Sequence, residues 1–343
     1  MRSTARFIRL TPHRVVMAAG AAAALTALMA FGATFPALAS HTGTQRQPCG
    51  ITATVHWHGT TYHIQRYGMF GIVPEKGKHI VTNVPITAHC PAGAQAAAAK
   101  ARLIYHGGPL ELHPHVFLDF FGNQWSHDAN GVVAYMTKLF KGLGVQPQDN
   151  WSTITSQYKN GSGSGPSFSG SVFGGAWMDN SKPSPGHATA NQLAAEARAA
   201  AQHFGVSGAD EDVFVLSPHG THPAGFNTPG GNFCAFHDFN GTTAWTNMPY
   251  VLDLGASCGA NSVQNKLDGF SIAGGHEYAE AVTDPHPPSG YVTSGGSEIG
   301  DLCAFQNLFA LHLPTGAFAM QPLWSNRANG CVQHAKPGAH GGR

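Results

Sequence analysis

Gly275-His276-Glu277-Tyr278-Ala279-Glu280-Ala281-Val282-Thr283-Asp284-Pro285 is the stretch around which the rest of the chain can be ordered. On a helix, residues four apart stand one above the other, so His276 and Glu280 project from one face with Glu277 beside the first. Asp284 continues that face, and Pro285 ends the helix because proline lacks an N–H and clashes with the preceding turn. Two ligands for a divalent metal can thus come from one rigid element, and Glu277 would stand where a carboxylate acts as general base toward water. A second block, Ser297-Glu298-Ile299-Gly300-Asp301-Leu302-Cys303, brings two more carboxylates. Glutamate is scarce, with seven in the chain, yet Glu277, Glu280 and Glu298 fall within 22 residues, so the grouping argues for a shared task. The competing reading is a solvated helix face whose acids make caps and surface pairs.

Outward from this stretch, residues 267–283 read as one helix, although Gly274 and Gly275 weigh against its first turn. Upstream, 115–121 is a compact apolar run expected to be a buried strand. Residues 130–143 show Val132, Val133, Met136, Leu139, Phe140 and Leu143 at helical spacing, with Gly144 as the stop. The Gly/Ser/Asn-rich 160–175 reads as loop. An Ala-rich helix is expected over 190–204, closed by Gly205, and a buried strand over 212–217, ended by Pro218. A strand over 244–254 and a closing hairpin over 309–324 complete the pattern. Strands and helices mix without strict alternation, so the expected fold is α+β, a mixed sheet with packed helices, and not a doubly wound parallel fold.

The amino terminus reads as an export signal. Arg2, Arg6, Arg9 and Arg14 come with no acid, and 15–39 then run without a charge to Ala37-Leu38-Ala39, a small-x-small site that places the cut before Ser40. The uncharged run is also long enough to span a bilayer, but Ala and Gly dominate it. Without this leader (1–39) the chain has 15 basic and 18 acidic residues, a balance that does not suggest nucleic-acid binding. The product is expected to be secreted, with no membrane contact after cleavage and with cell-wall association as an option; oligomeric state is left open. Residues 40–99 read as a small β-rich unit in the position of a propeptide, 100–335 as the α+β metal-binding domain, and 336–343 as a flexible tail. Six cysteines, Cys49, Cys90, Cys234, Cys258, Cys303 and Cys331, imply three disulfides in an exported chain, and their three well-separated couples favour sequential pairing among the open alternatives.

The helix motif resembles the zincin metallopeptidase signature His-Glu-x-x-His with a downstream glutamate, except that Glu280 stands where the second histidine belongs. That resemblance implies a zincin-like domain with His276, Glu280 and Glu298 as ligands, Glu277 as base and Asp301 as the group orienting His276, with Asp284 nearby in support. It implies a hydrolase acting on protein or peptide. Zinc is the favoured ion, but one histidine with two carboxylates is a harder, more anionic set than zinc hydrolases usually use, which admits manganese, iron or calcium. A wider resemblance joins Tyr105-His106-Gly107-Gly108-Pro109-Leu110, 115–122, Phe233-Cys234-Ala235-Phe236-His237, 276–285 and 298–303 to the secreted EXORDIUM (phosphate-induced) family and its bacterial relatives. It implies an exported or wall-associated protein of poorly defined activity, and it lets the acidic cluster be a structural or calcium-type site without turnover.

Other histidines carry weaker signals. His219 and His222 follow the strand expected at 212–217, where loops line clefts. His286 and Tyr291, just past the ligand helix, could donate to an oxyanion or form a rim. His56-Trp57-His58-Gly59 and His113-Pro114-His115 resemble copper-binding blocks of multicopper oxidases, but the His-Cys-His block of a type 1 copper site is absent.

Overall fold

Side chains on one face of a mixed sheet, and the helix packed on that face, supply most of the candidate site. The computed structural model describes residues 102–228, 233–294 and 296–335, together with the backbone of strands at Thr52–Trp57, Thr60–Gln65 and Val73–Pro74. The leader, the Cys49–Cys90 pair, the rest of 40–99 and the tail lie outside the described residues.

The strands in chain order are β1 (Thr52–Trp57), β2 (Thr60–Gln65), β3 (Val73–Pro74), β4 (Ile104–Tyr105), β5 (His115–Phe121), β6 (Phe173–Asp179), β7 (Glu211–Leu216), β8 (Phe233–Asn240), β9 (Thr243–Met248), β10 (Tyr291–Val292), β11 (Phe309–Leu313), β12 (Gly316–Met320), β13 (Leu323–Ser325) and β14 (Gly330–Val332). The helices are α1 (Val132–Gly142), α2 (Ala190–Phe204) and α3 (Asp268–Thr283). Six strands form the main sheet in the order β3-β8-β9-β7-β5-β6. The four from β9 to β6 run parallel, β8 returns antiparallel beside β9, and β3 pairs antiparallel with β8 through Val73↔Ala235. The fold is therefore mixed α+β with a mixed sheet and few helices.

Both faces of the sheet are covered, which is why β5, after the exposed His115 at its start, is apolar on both sides apart from Asp119. Val116, Leu118 and Phe120 join the core of α1 and α3, while Phe117 and Phe121 join that of α2 with Leu193 and Ala197. Helix α2 begins with Thr189 and Gln192 in a reciprocal capping box and ends at Gly205 in the left-handed region. Helix α3 is buried over its whole length, between β8 and β9 on one side and α1 and β12 on the other. Gly274 and Gly275, unfavourable for a helix in isolation, have a packing reason here. A Cβ on Gly275 would collide with Met320 Cε, and one on Gly274 would press Met136 Cε at 3.1 Å.

Several elements differ from expectation. The stretch 244–254 is strand only to Met248 and then winds into a 3₁₀ turn at Val251–Cys258. Strand β6 begins inside the segment read as loop, its two glycines packed close to Phe117 and Phe204. The expected hairpin is β11–β12, while β13 pairs with β14 instead. Two of the expected disulfides, Cys234–Cys258 and Cys303–Cys331, are present, and no described cysteine is free. No helix among the described residues is long and apolar enough to cross a membrane.

Candidate metal centre

Helix α3 delivers His276, Glu277 and Glu280 into the interior, where all three are buried. His276 Nε2 stands 2.9 Å from Glu280 Oε1, as the i,i+4 spacing requires, but off the line of a hydrogen bond. The loop before the 3₁₀ turn Asp301–Cys303 brings in Glu298, buried, and Asp301, whose side chain keeps 24% of its surface. Asp301 Oδ1 lies 3.7 Å from His276 Nε2, its N–H donates to Glu280 Oε1 at 3.0 Å, and its Oδ2 accepts from Glu298 N–H at 3.0 Å. Gly300 permits this approach: a Cβ there would sit 2.8–2.9 Å from three atoms of the His276 ring.

The fold adds a donor that sequence reading assigned no role, His237 of β8. Its neighbour Phe236 faces α2, so the alternation of a strand turns His237 toward α3. His237 Nδ1 lies 3.1 Å from Glu277 Oε2 and 3.7 Å from Glu280 Oε2, and its Nε2 lies 3.7 Å from Glu298 Oε1. Nε2 also stands 3.2 Å from the Asp284 carbonyl oxygen, which can only accept and so takes a hydrogen bond from a protonated Nε2. Asp284 ends α3, and its Oδ1 accepts from Gly290 N–H at 2.6 Å. A signal for this strand was available: Gly241 between two aromatic-rich runs marks a tight hairpin turn, and it stands at positive φ at the first position of the two-residue loop that Asn240 and Thr243 close.

Five carboxylates and two imidazoles therefore share a small region, and its ion pairs run only from imidazole to carboxylate. Burial, with Asp301 adding to it, pushes the Glu280 carboxyl up to about 7 against the opposing pull of His276, and burial with Glu280 brings Asp284 to about 7 against the hydrogen bond from Gly290. Burial, then Glu280, holds Glu298 and Glu277 well above the usual range. His237 is driven down to about 4 by burial. For His276, burial works downward, but Glu280 and Asp301 outweigh it and hold it well above its ordinary value. The negative end of the α3 dipole adds to the same potential at Glu280 and Asp284. Both oxygens of Glu298, Glu277 Oε1, Glu280 Oε2, Asp284 Oδ2 and both His276 ring nitrogens lack hydrogen-bond partners. Lone pairs left in a dry interior cost several kcal/mol as ions, and a cation is what such a set can accommodate.

Two donor groups have the compactness a metal requires, with all atoms within 4.8 Å: His276, Glu280 and Asp301, and His237, Glu280 and Glu298. Glu298 thus groups with His237, and Asp301 stands at ligand distance with His276.

No family model, curated protein or solved structure matches the chain.

The remaining candidates make other contacts. Tyr291 Oη donates to the Lys159 carbonyl at 2.7 Å, and its ring packs on Tyr105 and Tyr158. His286 stacks on Phe239 with ring centroids 4.6 Å apart. His219 pairs with Asp253 at 2.5 Å and His222 packs near Phe226, both past the C-terminal end of β7, whereas the end of α3 lies by its start, where Glu111 N–H donates to Val282 and Leu112 N–H to Asp210. A pocket of about 240 Å³ lined by Arg198, Asn240 and Trp245 lies on the α2 side of the sheet and touches none of the donors.

Proposed function

We propose that the chain is a secreted metal-dependent hydrolase of zincin type, acting on protein or peptide, with its centre at His276, Glu280 and Glu298 and with His237 and Asp301 as added donors. The observation that carries this reading is the convergence of buried, unpartnered carboxylate oxygens and imidazole nitrogens around Glu280. His237 also answers the chemical objection from sequence: a second imidazole softens the donor set toward that of zinc hydrolases and disfavours calcium. The mixed sheet with an antiparallel strand beside the motif helix fits a zincin-like arrangement, and the disulfides fit export.

The chemistry such an ion supplies is Lewis acidity toward a carbonyl and a lowered pKa for water. Glu277, whose Oε1 has no partner, is the group positioned to take the proton. Asp301, the one partly exposed donor, marks the side from which a substrate would approach.

The burial of the other donors favours a second reading, a non-catalytic EXORDIUM-like extracellular protein in which the same centre is structural. Metal analysis of the purified protein with a peptide-library assay, alongside Glu277→Gln, separates the two. A hydrolase retains metal in the variant and loses turnover by about 10²-fold or more, the range for general-base catalysis. Metal without turnover in the parent protein selects the structural reading, and absence of metal overturns both.

A further inference from the structure

We propose that the centre holds two divalent cations bridged by the carboxylate of Glu280, an inference that rests on the metal-binding reading above. The donors divide into two groups whose only common member is Glu280, and His237 and His276 enter no common group. The two oxygens of Glu280 divide in the same way. Oε1 lies 2.9 Å from His276 Nε2, and Oε2 lies 3.7 Å from His237 Nδ1. A carboxylate that turns one oxygen to each of two donor sets is the shape of a bridge, and in two-metal hydrolytic sites the ions stand about 3.5–4 Å apart.

A single ion fits this arrangement poorly. The donors of one ion must lie close together, and neither group within 4.8 Å takes in a donor of the other besides Glu280. One ion would leave either the His276–Asp301 side or the His237–Glu298 side without a cation. Charge leads to the same count. Glu277, Glu280, Asp284, Glu298 and Asp301 carry five negative charges when ionised, so one dication leaves three uncompensated and two leave one.

Independent of the acidic grouping, unpartnered atoms point into both halves. His276 Nδ1 and Nε2 are buried without a hydrogen bond on one side, as are both Glu298 oxygens on the other. On the second side, the His237 ring stands 3.7 Å from Glu280 Oε2 through Nδ1 and 3.7 Å from Glu298 Oε1 through Nε2. With imidazole and carboxylate in each group, the ions belong to the zinc, manganese, iron and cobalt class.

The test loads the full chain with zinc, removes loose metal, and counts ions per chain by elemental analysis. In parallel, a manganese-loaded sample is examined by electron paramagnetic resonance. Two ions per chain and an exchange-coupled manganese signal are expected. Asp301→Asn, at the least buried donor, should reduce the count to one. One ion per chain with an uncoupled signal overturns the bridge and leaves the single-ion reading of the function standing, as do two ions without coupling. No retained metal overturns both. Stoichiometry and coupling of the unaltered protein decide the matter even if the variant does not fold.

Discussion

Gly300 and His237 show how much of the centre depends on single positions. Gly300 lets the Glu298–Asp301 loop lie against the His276 ring, and any Cβ there meets three ring atoms below 3 Å. The ring is buried and packed, so neither side yields cheaply. Gly300→Ala is expected to cost about 1–3 kcal/mol, the range for overpacking a filled interior, and to weaken metal binding because Asp301 and Glu298 move with the loop. Thermal melts with and without zinc measure both effects, and an unchanged metal affinity would contradict the placement of these carboxylates. His237→Gln removes the lone pair that faces Glu277 and Glu280 while keeping a polar side chain of similar reach. Isothermal titration with zinc should show an affinity loss of about 10–100-fold, the range even for outer partners of metal ligands, or more.

At the level of elements, each disulfide holds one of the two donors' segments that α3 does not supply. Cys234–Cys258 ties β8, three residues before His237, to the turn that leads toward α3, and Cys303–Cys331 ties the loop carrying Glu298 and Asp301 to β14. Their sequence separations of 24 and 28 residues put the chain-entropy contribution of each near 3–4 kcal/mol. Replacing Cys303 and Cys331 together by Ser should lower the melting temperature and release metal at a lower chelator concentration than the parent requires, read by calorimetry and a chelator titration. Release at the parent's chelator concentration would show that the bond does not position the loop. The same elements explain what could be read in advance. Helix α2, the strand at β5 and the motif helix carry local signals of periodicity, caps and stops, and their bounds follow from them. The pairing of Cys234 with Cys258 and Cys303 with Cys331 followed from spacing. What escaped depends on tertiary placement: β6 is glycine-rich because Phe117 and Phe204 press on it, and His237 becomes a donor only because β8 returns beside α3. Glycines 274 and 275 looked like helix breakers because their partners, Met136 and Met320, are distant in sequence.

Over the whole molecule, buried acids make stability a function of pH and of metal. Beyond the centre, Glu111 and Asp212 form a buried pair near the start of β7: burial drives Asp212 up to about 8, with Thr246 pulling the other way, and burial and then Asp212 hold Glu111 well above its usual range. On the α2 side, burial and Asp179 bring Glu196 to about 7. A folded carboxyl with a raised pKa holds a proton that the unfolded chain has released, so the stability it contributes is complete below about pH 4 and declines as pH rises through the folded value. The metal-free protein should therefore lose stability from about pH 4 to 8, the window set by an ordinary carboxyl and by Asp212. His237, depressed to about 4, opposes this only below its ordinary value. Asp212→Asn keeps the shape and the Thr246 contact without an ionising group, so its melting temperature should fall less over that window. A difference of several degrees is expected, since about 1 kcal/mol shifts the transition of a chain this size by about 2–4 °C. With zinc bound the trend at the centre reverses, because Glu280 must give up a proton to admit the ion and metal affinity rises with pH. Melting curves at pH 5, 6.5 and 8 with and without zinc should diverge steadily, the zinc-induced gain being largest at pH 8. A gain that is constant across the three would mean that zinc binds away from that carboxyl.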